Sequence, residues 1–323
     1  MPQPQPSINQ AAQKLVKKLC NQPDKYNITI KHTKSGATII DTGIKTKGGF
    51  QAGKIITEIC LGGQGKGQIT HTQFDELELP SILIHTDKPA IATLGSQFAG
   101  WQIKVEDYNA IGSGPARALA LKPQKIYDKI EYKDETDVAV IVLETSKEPP
   151  ETVITYIAEE SKVTPNNLSI ILVPTTSIAG SIQVSGRIIE TGIHKLMKLG
   201  LDPKVIMYAW GYAPIAPLHP KFAKAMGRTN DAILYAGTAY YIVQHDDDEK
   251  LKEIVKKAPS TASKSYGRPF YEIFKNANYD FYKIDPNLFA PAALTVNNTK
   301  TGSIFKAGQI NVEVLKQSMG YDN

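Results

Sequence analysis

Apolar residues recur along this chain with two different periods. After Ser7, residues Ala11, Leu15, Val16 and Leu19 fall at helical spacing, and Gln10 follows Ser7 as a capping box requires. "YNITIKHT" and "GATIIDTG" alternate like strands around a Ser-Gly turn, which predicts a hairpin. "KIITEICLGG" reads as a strand running into glycines, and "SILIHTD" and "AIATLGS" are short apolar runs. From 138 the pattern changes. "VAVIVLE" and "LSIILVP" read as buried strands, "PPETVITYIAEESKV" between them as a helix entered through proline, and "KVIMYAW" as a third strand. That alternation of strand and helix predicts a partly parallel sheet. "NDAILYAGTAYYIVQ" fits helix and strand equally, whereas "HDDDEKLKEIVKKA" places acids first and lysines last, as a helix complementing its own dipole does.

The segment 185–199 predicts a further helix. At about 100° per residue, Arg187, Glu190, Thr191, His194 and Lys198 share one stripe, and Ile188, Ile189, Ile193, Leu196 and Met197 cover the rest. A solvated face with spaced ion pairs is one reading of that stripe. Two details favour a site. Arginine before glutamate is the less favourable order for helix stability. The helix is also introduced by "PTTSIAGSIQVSG", a run of small and hydroxyl residues after a buried strand, where α/β proteins place ligands.

Composition narrows the classes. The chain has 323 residues, 41% of them hydrophobic, enough for one large or two ordinary domains. The fold class is α/β with some α+β character. No linker divides the chain, so two subdomains with mixed sheets that exchange segments, roughly 7–135 and 136–320, are expected behind a loose Pro/Gln tail at 1–6. A net charge of +5 suits an anionic small ligand, and the scattered lysines give no nucleic-acid footprint. Cys20 and Cys60 read as free thiols in a reducing compartment. No signal peptide or membrane-spanning run is visible, so a cytoplasmic protein is expected. The six histidines lack metal-ligand spacing, so no metal is expected.

Two glycine clusters are candidates for close backbone contact with a ligand. In "NAIGSGPARALA", Gly112, Ser113 and Gly114 lead into Pro115, which suits a first helical position, with Arg117 in the first turn. This is either an anion cradle or a tight turn with a cap. "ICLGGQGKGQ" lacks the Ser/Thr after Gly-Lys and the spacing of a phosphate-binding loop, which excludes that motif.

Six segments in order, "TEICLGG", "GSGPARALA", "VPTTSIAGSIQVSGRIIETGIHKL", "GRTNDAILYAG", "YGRPFYEIF" and "DFYKIDPNLFAPA", resemble the methenyltetrahydromethanopterin cyclohydrolases, from about Ser7 to Leu315. The resemblance implies reversible hydrolysis of a methenyl-pterin cation to the formyl derivative, with no cofactor beyond the pterin carrier itself. It also implies two intertwined subdomains with a cleft between them, and a homotrimer. The family's catalytic pair falls on Arg187 and Glu190, with Glu190 as general base and acid and Arg187 orienting and tuning it. No role carries over to His194.

The electrophile is already a cation, so the reaction needs a placed water and a group that takes and returns a proton. A flat pterin wants aromatic walls, for which Trp210, Tyr212, Tyr235 and Phe270 are candidates by neighbourhood. Gly112, Ser113, Gly114 and Arg117 are candidates for the substrate's negative charge. The alternatives are a pterin-binding protein without activity and a cyclohydrolase acting on a folate-type carrier.

Overall fold

The computed structural model describes residues 5–280 and 283–321. In chain order its strands are β1 (Thr29–His32), β2 (Thr38–Asp41), β3 (Gly65–Phe74), β4 (Leu77–Thr86), β5 (Trp101–Val105), β6 (Tyr108–Ser113), β7 (Ala139–Glu144), β8 (Leu168–Leu172), β9 (Ile206–Pro214), β10 (Thr238–Val243), β11 (Ala293–Asn298) and β12 (Ile304–Gly308). The helices are α1 (Ile8–Cys20), α2 (Pro23–Tyr26), α3 (Phe50–Cys60), α4 (Pro89–Ala92), α5 (Ala116–Ala120), α6 (Gln124–Ile130), α7 (Glu151–Glu160), α8 (Ile178–Ser185), α9 (Ile188–Lys198), α10 (Phe222–Ala236), α11 (Asp248–Lys256), α12 (Phe270–Asn276) and α13 (Val312–Met319).

The chain forms two compact units. The first takes residues up to Lys66 and Ala90–Gln183, and the second takes Gly67–Pro89 and everything from Val184. The chain passes from the first to the second inside α8, not near residue 135, which lies well within the first unit. Residues 1–4 of the expected tail lie outside the described residues, but its last two are held: Tyr132 Oη donates to the Pro6 carbonyl at 2.7 Å and Gln5 donates to Glu131.

The first unit carries a mixed sheet in the order β1-β2-β8-β7-β6-β5, parallel through β2, β8 and β7 and antiparallel at both flanks. Helices cover both faces. Ile141, Leu143, Ile170 and Leu172 pack with Val153, Ile154 and Ile157 of α7. Val140, Val142 and Ile171 point the other way, into Ala12, Val16 and Leu19 of α1 and Ile55, Ile56 and Ile59 of α3. Burial on two faces is why "VAVIVLE" and "LSIILVP" are continuously apolar. The predicted hairpin is β1–β2.

Several expectations needed correction. "KIITEICLGG" is the helix α3: Ala52, Ile55, Ile56, Ile59 and Cys60 follow helical spacing, and its β-branched content imitated a strand. Its glycines end the helix. Gly62 and Gly63 have φ of 63° and 67° and donate to the Ile59 and Glu58 carbonyls, so they form a left-handed cap. Ser7 caps α1 as expected, but the Gln10 amide reaches to Thr136 instead of back to Ser7, so the box is half made.

The second unit's sheet has the order β12-β11-β10-β9-β4-β3. "KVIMYAW" is β9 and belongs here, antiparallel to β10 and β4, so it does not continue the parallel run of β7 and β8; the parallel pair of this sheet is β10–β11. The ambiguous segment resolves into the last turns of α10, a junction at Gly237, and β10. α10, α12 and α13 enclose an aromatic core containing Tyr235, Phe270 and Phe274. The acid-first segment is α11, capped by Asp247, which accepts from the Lys250 amide.

Candidate active site

The Arg187–Glu190 segment is built on a helix break rather than in the middle of one helix. α8 ends at Ser185, Gly186 and Arg187 form a turn closed by Arg187 N donating to the Val184 carbonyl at 3.0 Å, and α9 starts at Ile188. Ser185 Oγ ties the end of α8 to the Pro214 carbonyl at 2.7 Å. Arg187 is the N-cap residue of α9. Its carbonyl accepts from both the amide and the hydroxyl of Thr191, at 2.8 and 2.9 Å.

This break changes the electrostatic argument. Glu190 sits in the first turn of α9, where backbone amides and the helix dipole favour a carboxylate. Arg187 lies just ahead of that turn. Its Nη1 stands 3.9 Å from Glu190 Oε2, an ion pair beyond hydrogen-bond length, with the two side chains only 11% and 9% exposed. The solvated-face reading fails here. The stripe runs from the buried Glu190 through the half-buried Thr191 and His194 to the exposed Lys198, so only its far end is a solvent face.

α9 lies close on the sheet of its own unit. A Cβ on Gly211 of β9 would stand 3.0 Å from Ile189 Cγ2, and one on Gly192 would stand 1.9 Å from the hydroxyl oxygen of Tyr241 on β10. That hydroxyl donates to the Ile189 carbonyl at 3.0 Å. Burial, and then the Glu190 charge, push the Tyr241 hydroxyl pKa well above its ordinary value. Neither Tyr241 nor Gly192 was legible as a site residue, because the partner of the one is a backbone carbonyl and the role of the other is the space it leaves.

The remaining candidates have other surroundings. Gly112 and Ser113 end β6, and Gly114 turns the chain at φ 96° into the five-residue α5, all in the first unit. Arg117 is fully buried. Its Nε donates to the Lys122 carbonyl at 2.8 Å and its Nη1 to the Leu94 and Ser96 carbonyls at 3.2 and 3.1 Å. Its guanidinium also faces the rings of Phe98 and Tyr127, 5.2 and 5.6 Å from their centroids. Those contacts turn the cation inward, into the π-helical turn Thr93–Gln97, which argues against the anion cradle and for the structural reading of this turn.

The four aromatic candidates divide by position. Tyr235 and Phe270 have no exposed surface and belong to the core. The Tyr235 hydroxyl donates to the Arg268 carbonyl at 2.7 Å, and Phe270 contacts Phe274 and Phe289. Trp210 and Tyr212 meet edge to face at 5.8 Å on β9. They alternate with Ala209 and Gly211, so they face away from α9 and Glu190, and Trp210 is 38% exposed. Neighbourhood in sequence therefore did not translate into neighbourhood at Glu190.

Among the described residues, no group of three or more histidine, cysteine, aspartate or glutamate side chains is arranged to hold a metal ion. Among the same residues, no helix is long and apolar enough to cross a membrane.

A mixed α/β chain carrying a buried arginine–glutamate pair at a helix start matches one family along almost its whole length: the cyclohydrolase family abbreviated MCH, over residues 7–319. The chain belongs to that family of hydrolases. It is 45% identical over 317 residues to the methenyltetrahydromethanopterin cyclohydrolase of Methanothermobacter marburgensis, covering 97% of this chain and 99% of that one. The enzymes of the same name from Methanocaldococcus jannaschii and Methanococcoides burtonii are 46% and 44% identical, over 98% of this chain and 98% and 99% of theirs.

Proposed function

We propose that this chain catalyses the reversible hydrolysis of 5,10-methenyltetrahydromethanopterin to 5-formyltetrahydromethanopterin, with Glu190 carrying the proton and Arg187 orienting and tuning it. The substrate follows the name of the relatives, which match nearly end to end. The roles rest on one observation: a buried carboxylate in the first turn of α9 with a guanidinium 3.9 Å away.

In this reading water adds to the methenyl carbon between the two nitrogens, and Glu190 takes the proton that the water loses. The product is a neutral carbinolamine. Its hydroxyl then gives up a proton as the bond from the carbon to N10 breaks, N10 is protonated by the Glu190 carboxyl, and the formyl group stays on N5. One proton is released per turnover. A carboxylate that serves first as base and then as acid suffices for this sequence. Arg187 holds the carboxylate toward the water and offsets the electrostatic cost of keeping it charged in a buried place.

No cofactor beyond the pterin carrier belongs to this proposal, and neither does nucleic acid. It includes a cytoplasmic homotrimer. Exposed Tyr208, Trp210 and Ile304 give the second unit apolar surface that an assembly would cover. Light scattering that returns one chain mass of 35.4 kDa would remove the trimer.

Loss of the methenyl chromophore's near-ultraviolet absorption, followed in metal-free buffer on a tetrahydromethanopterin and on a tetrahydrofolate carrier, tests the reaction. Turnover restricted to the methanopterin carrier is expected. Binding without turnover would favour a non-catalytic pterin-binding protein, and faster turnover of the folate substrate would favour the folate alternative.

A further inference from the structure

We infer that Tyr241 is a positioning residue for Glu190, acting through the first turn of α9; the inference rests on Glu190 being the proton carrier. The Tyr241 hydroxyl donates to the carbonyl of Ile189, the residue immediately before Glu190, at 3.0 Å. That carbonyl already has an intrahelical partner four residues on. The tyrosine therefore supplies a second donor, from outside the helix.

A buried phenol needs a reason. Phenylalanine would fill nearly the same volume without bringing a polar atom into a place with no exposed surface. The oxygen is accommodated by a specific gap: residue 192 has no side chain, and a Cβ there would stand 1.9 Å from the Tyr241 oxygen and 2.9 Å from Cζ. Glycine inside a helix costs about 1 kcal/mol relative to alanine, so α9 gives up intrinsic stability to let the phenol in.

Tyr241 is itself fixed by the sheet. It pairs with Ala209 of β9 on one side and Val296 of β11 on the other, in the middle of β10. The hydroxyl thus refers the start of α9 to a central strand and sets how far the helix slides and rotates about its axis. Glu190 is carried on the turn so held. Both the burial and the neighbouring negative charge keep the phenol protonated, hence donating. A carboxylate that must meet one water and then one nitrogen depends on this placement, because a misplacement on the order of 1 Å costs about a hundredfold in rate.

The test is Tyr241→Phe, assayed beside Glu190→Gln. The variant should keep its near-ultraviolet circular dichroism and its KM within about twofold, while kcat falls about 10- to 100-fold and the pH–rate profile moves. A wild-type kcat and profile would overturn the inference. So would a loss explained wholly by a smaller folded fraction, which is what a purely structural tyrosine gives. A second variant guards against poor folding. Gly192→Ala puts a Cβ where the Tyr241 oxygen sits and should lower kcat in the folded fraction with KM little changed; a wild-type kcat in folded Gly192→Ala contradicts the inference. If Glu190→Gln keeps its activity, the proton-carrier reading fails instead, whatever Tyr241→Phe does.

Discussion

Arg187 and Glu190 are three residues apart in sequence but occupy different parts of the local structure: the arginine caps α9 and the glutamate lies inside its first turn. The pair stands 3.9 Å apart, with both side chains largely shielded from solvent. Within one continuous helix the arginine would sit on the wrong side of the glutamate with respect to the dipole. At a helix start, the dipole and the guanidinium act on the carboxylate in the same direction.

Arg187→Ala should therefore lower kcat about 10²- to 10³-fold, toward the range found for loss of a preorganised charged donor, and Arg187→Lys should lose less. Lysine keeps the charge but not the planar fork that orients a carboxylate. Removing the cation should also move the acid limb of the pH–rate profile to higher pH, because a base without a neighbouring cation is protonated more readily. Initial rates from pH 5 to 9 check this, and superimposable profiles for wild type and Arg187→Ala would remove the tuning role.

Arg117 should behave as a structural residue. Arg117→Met leaves the Leu94, Ser96 and Lys122 carbonyls without the guanidinium. The Ser96 carbonyl keeps the Gly114 amide at 2.9 Å, and each buried group left unpaired costs about 1–3 kcal/mol, so urea denaturation should show a loss of about 1–3 kcal/mol. KM measured on the folded fraction should change little. A large KM increase with unchanged stability would restore the anion cradle.

Asp231 predicts a pH-dependent stability. It is fully buried in the aromatic core, accepts from the Phe270 amide through both oxygens at 3.0 Å, and accepts from Ser318 Oγ. Burial pushes its carboxyl up to about 8 from 3.8, against the opposing effect of those two donors. A folded-state value above the unfolded one means that the fold holds the proton more tightly. Its stabilising contribution is complete below the unfolded value, about pH 4, and is lost as pH rises toward 8. Asp231→Asn keeps an acceptor for Phe270 and gains a donor toward Ser318. It should flatten the decline between pH 5 and pH 8, by about 1–3 kcal/mol at the upper end, in denaturation curves compared across that window. An equal decline in both proteins would show that Asp231 does not titrate there.

The sequence carried the layered part of the fold well, because strands buried on two faces, such as β7 and β8, announce themselves by unbroken apolar runs. It misled at α3, where Ile55, Ile56, Thr57 and Ile59 supply strand-like composition at helical spacing. It could not show that "KVIMYAW" leaves the parallel sheet, since that depends on which partner strand β9 meets. At the site, the Arg187 and Glu190 spacing was readable and the break at Gly186 was not. Trp210 and Tyr212 lie close to α9 in sequence, but strand alternation turns them to the other face of β9. Tyr241 stayed hidden because its hydrogen bond goes to a carbonyl, an atom that every residue has.

The most direct measurement is the turnover of 5,10-methenyltetrahydromethanopterin by Glu190→Gln, followed by the near-ultraviolet absorption of the methenyl group in metal-free buffer. Glutamine keeps the size of the side chain and its place in the first turn of α9, and removes only its capacity to take a proton at neutral pH. The expected result is a folded protein that binds substrate with a KM near wild type and a kcat lower by about 10²- to 10⁴-fold. A kcat within about tenfold of wild type, below the usual effect of an acid–base group, would contradict it and assign the proton to another residue.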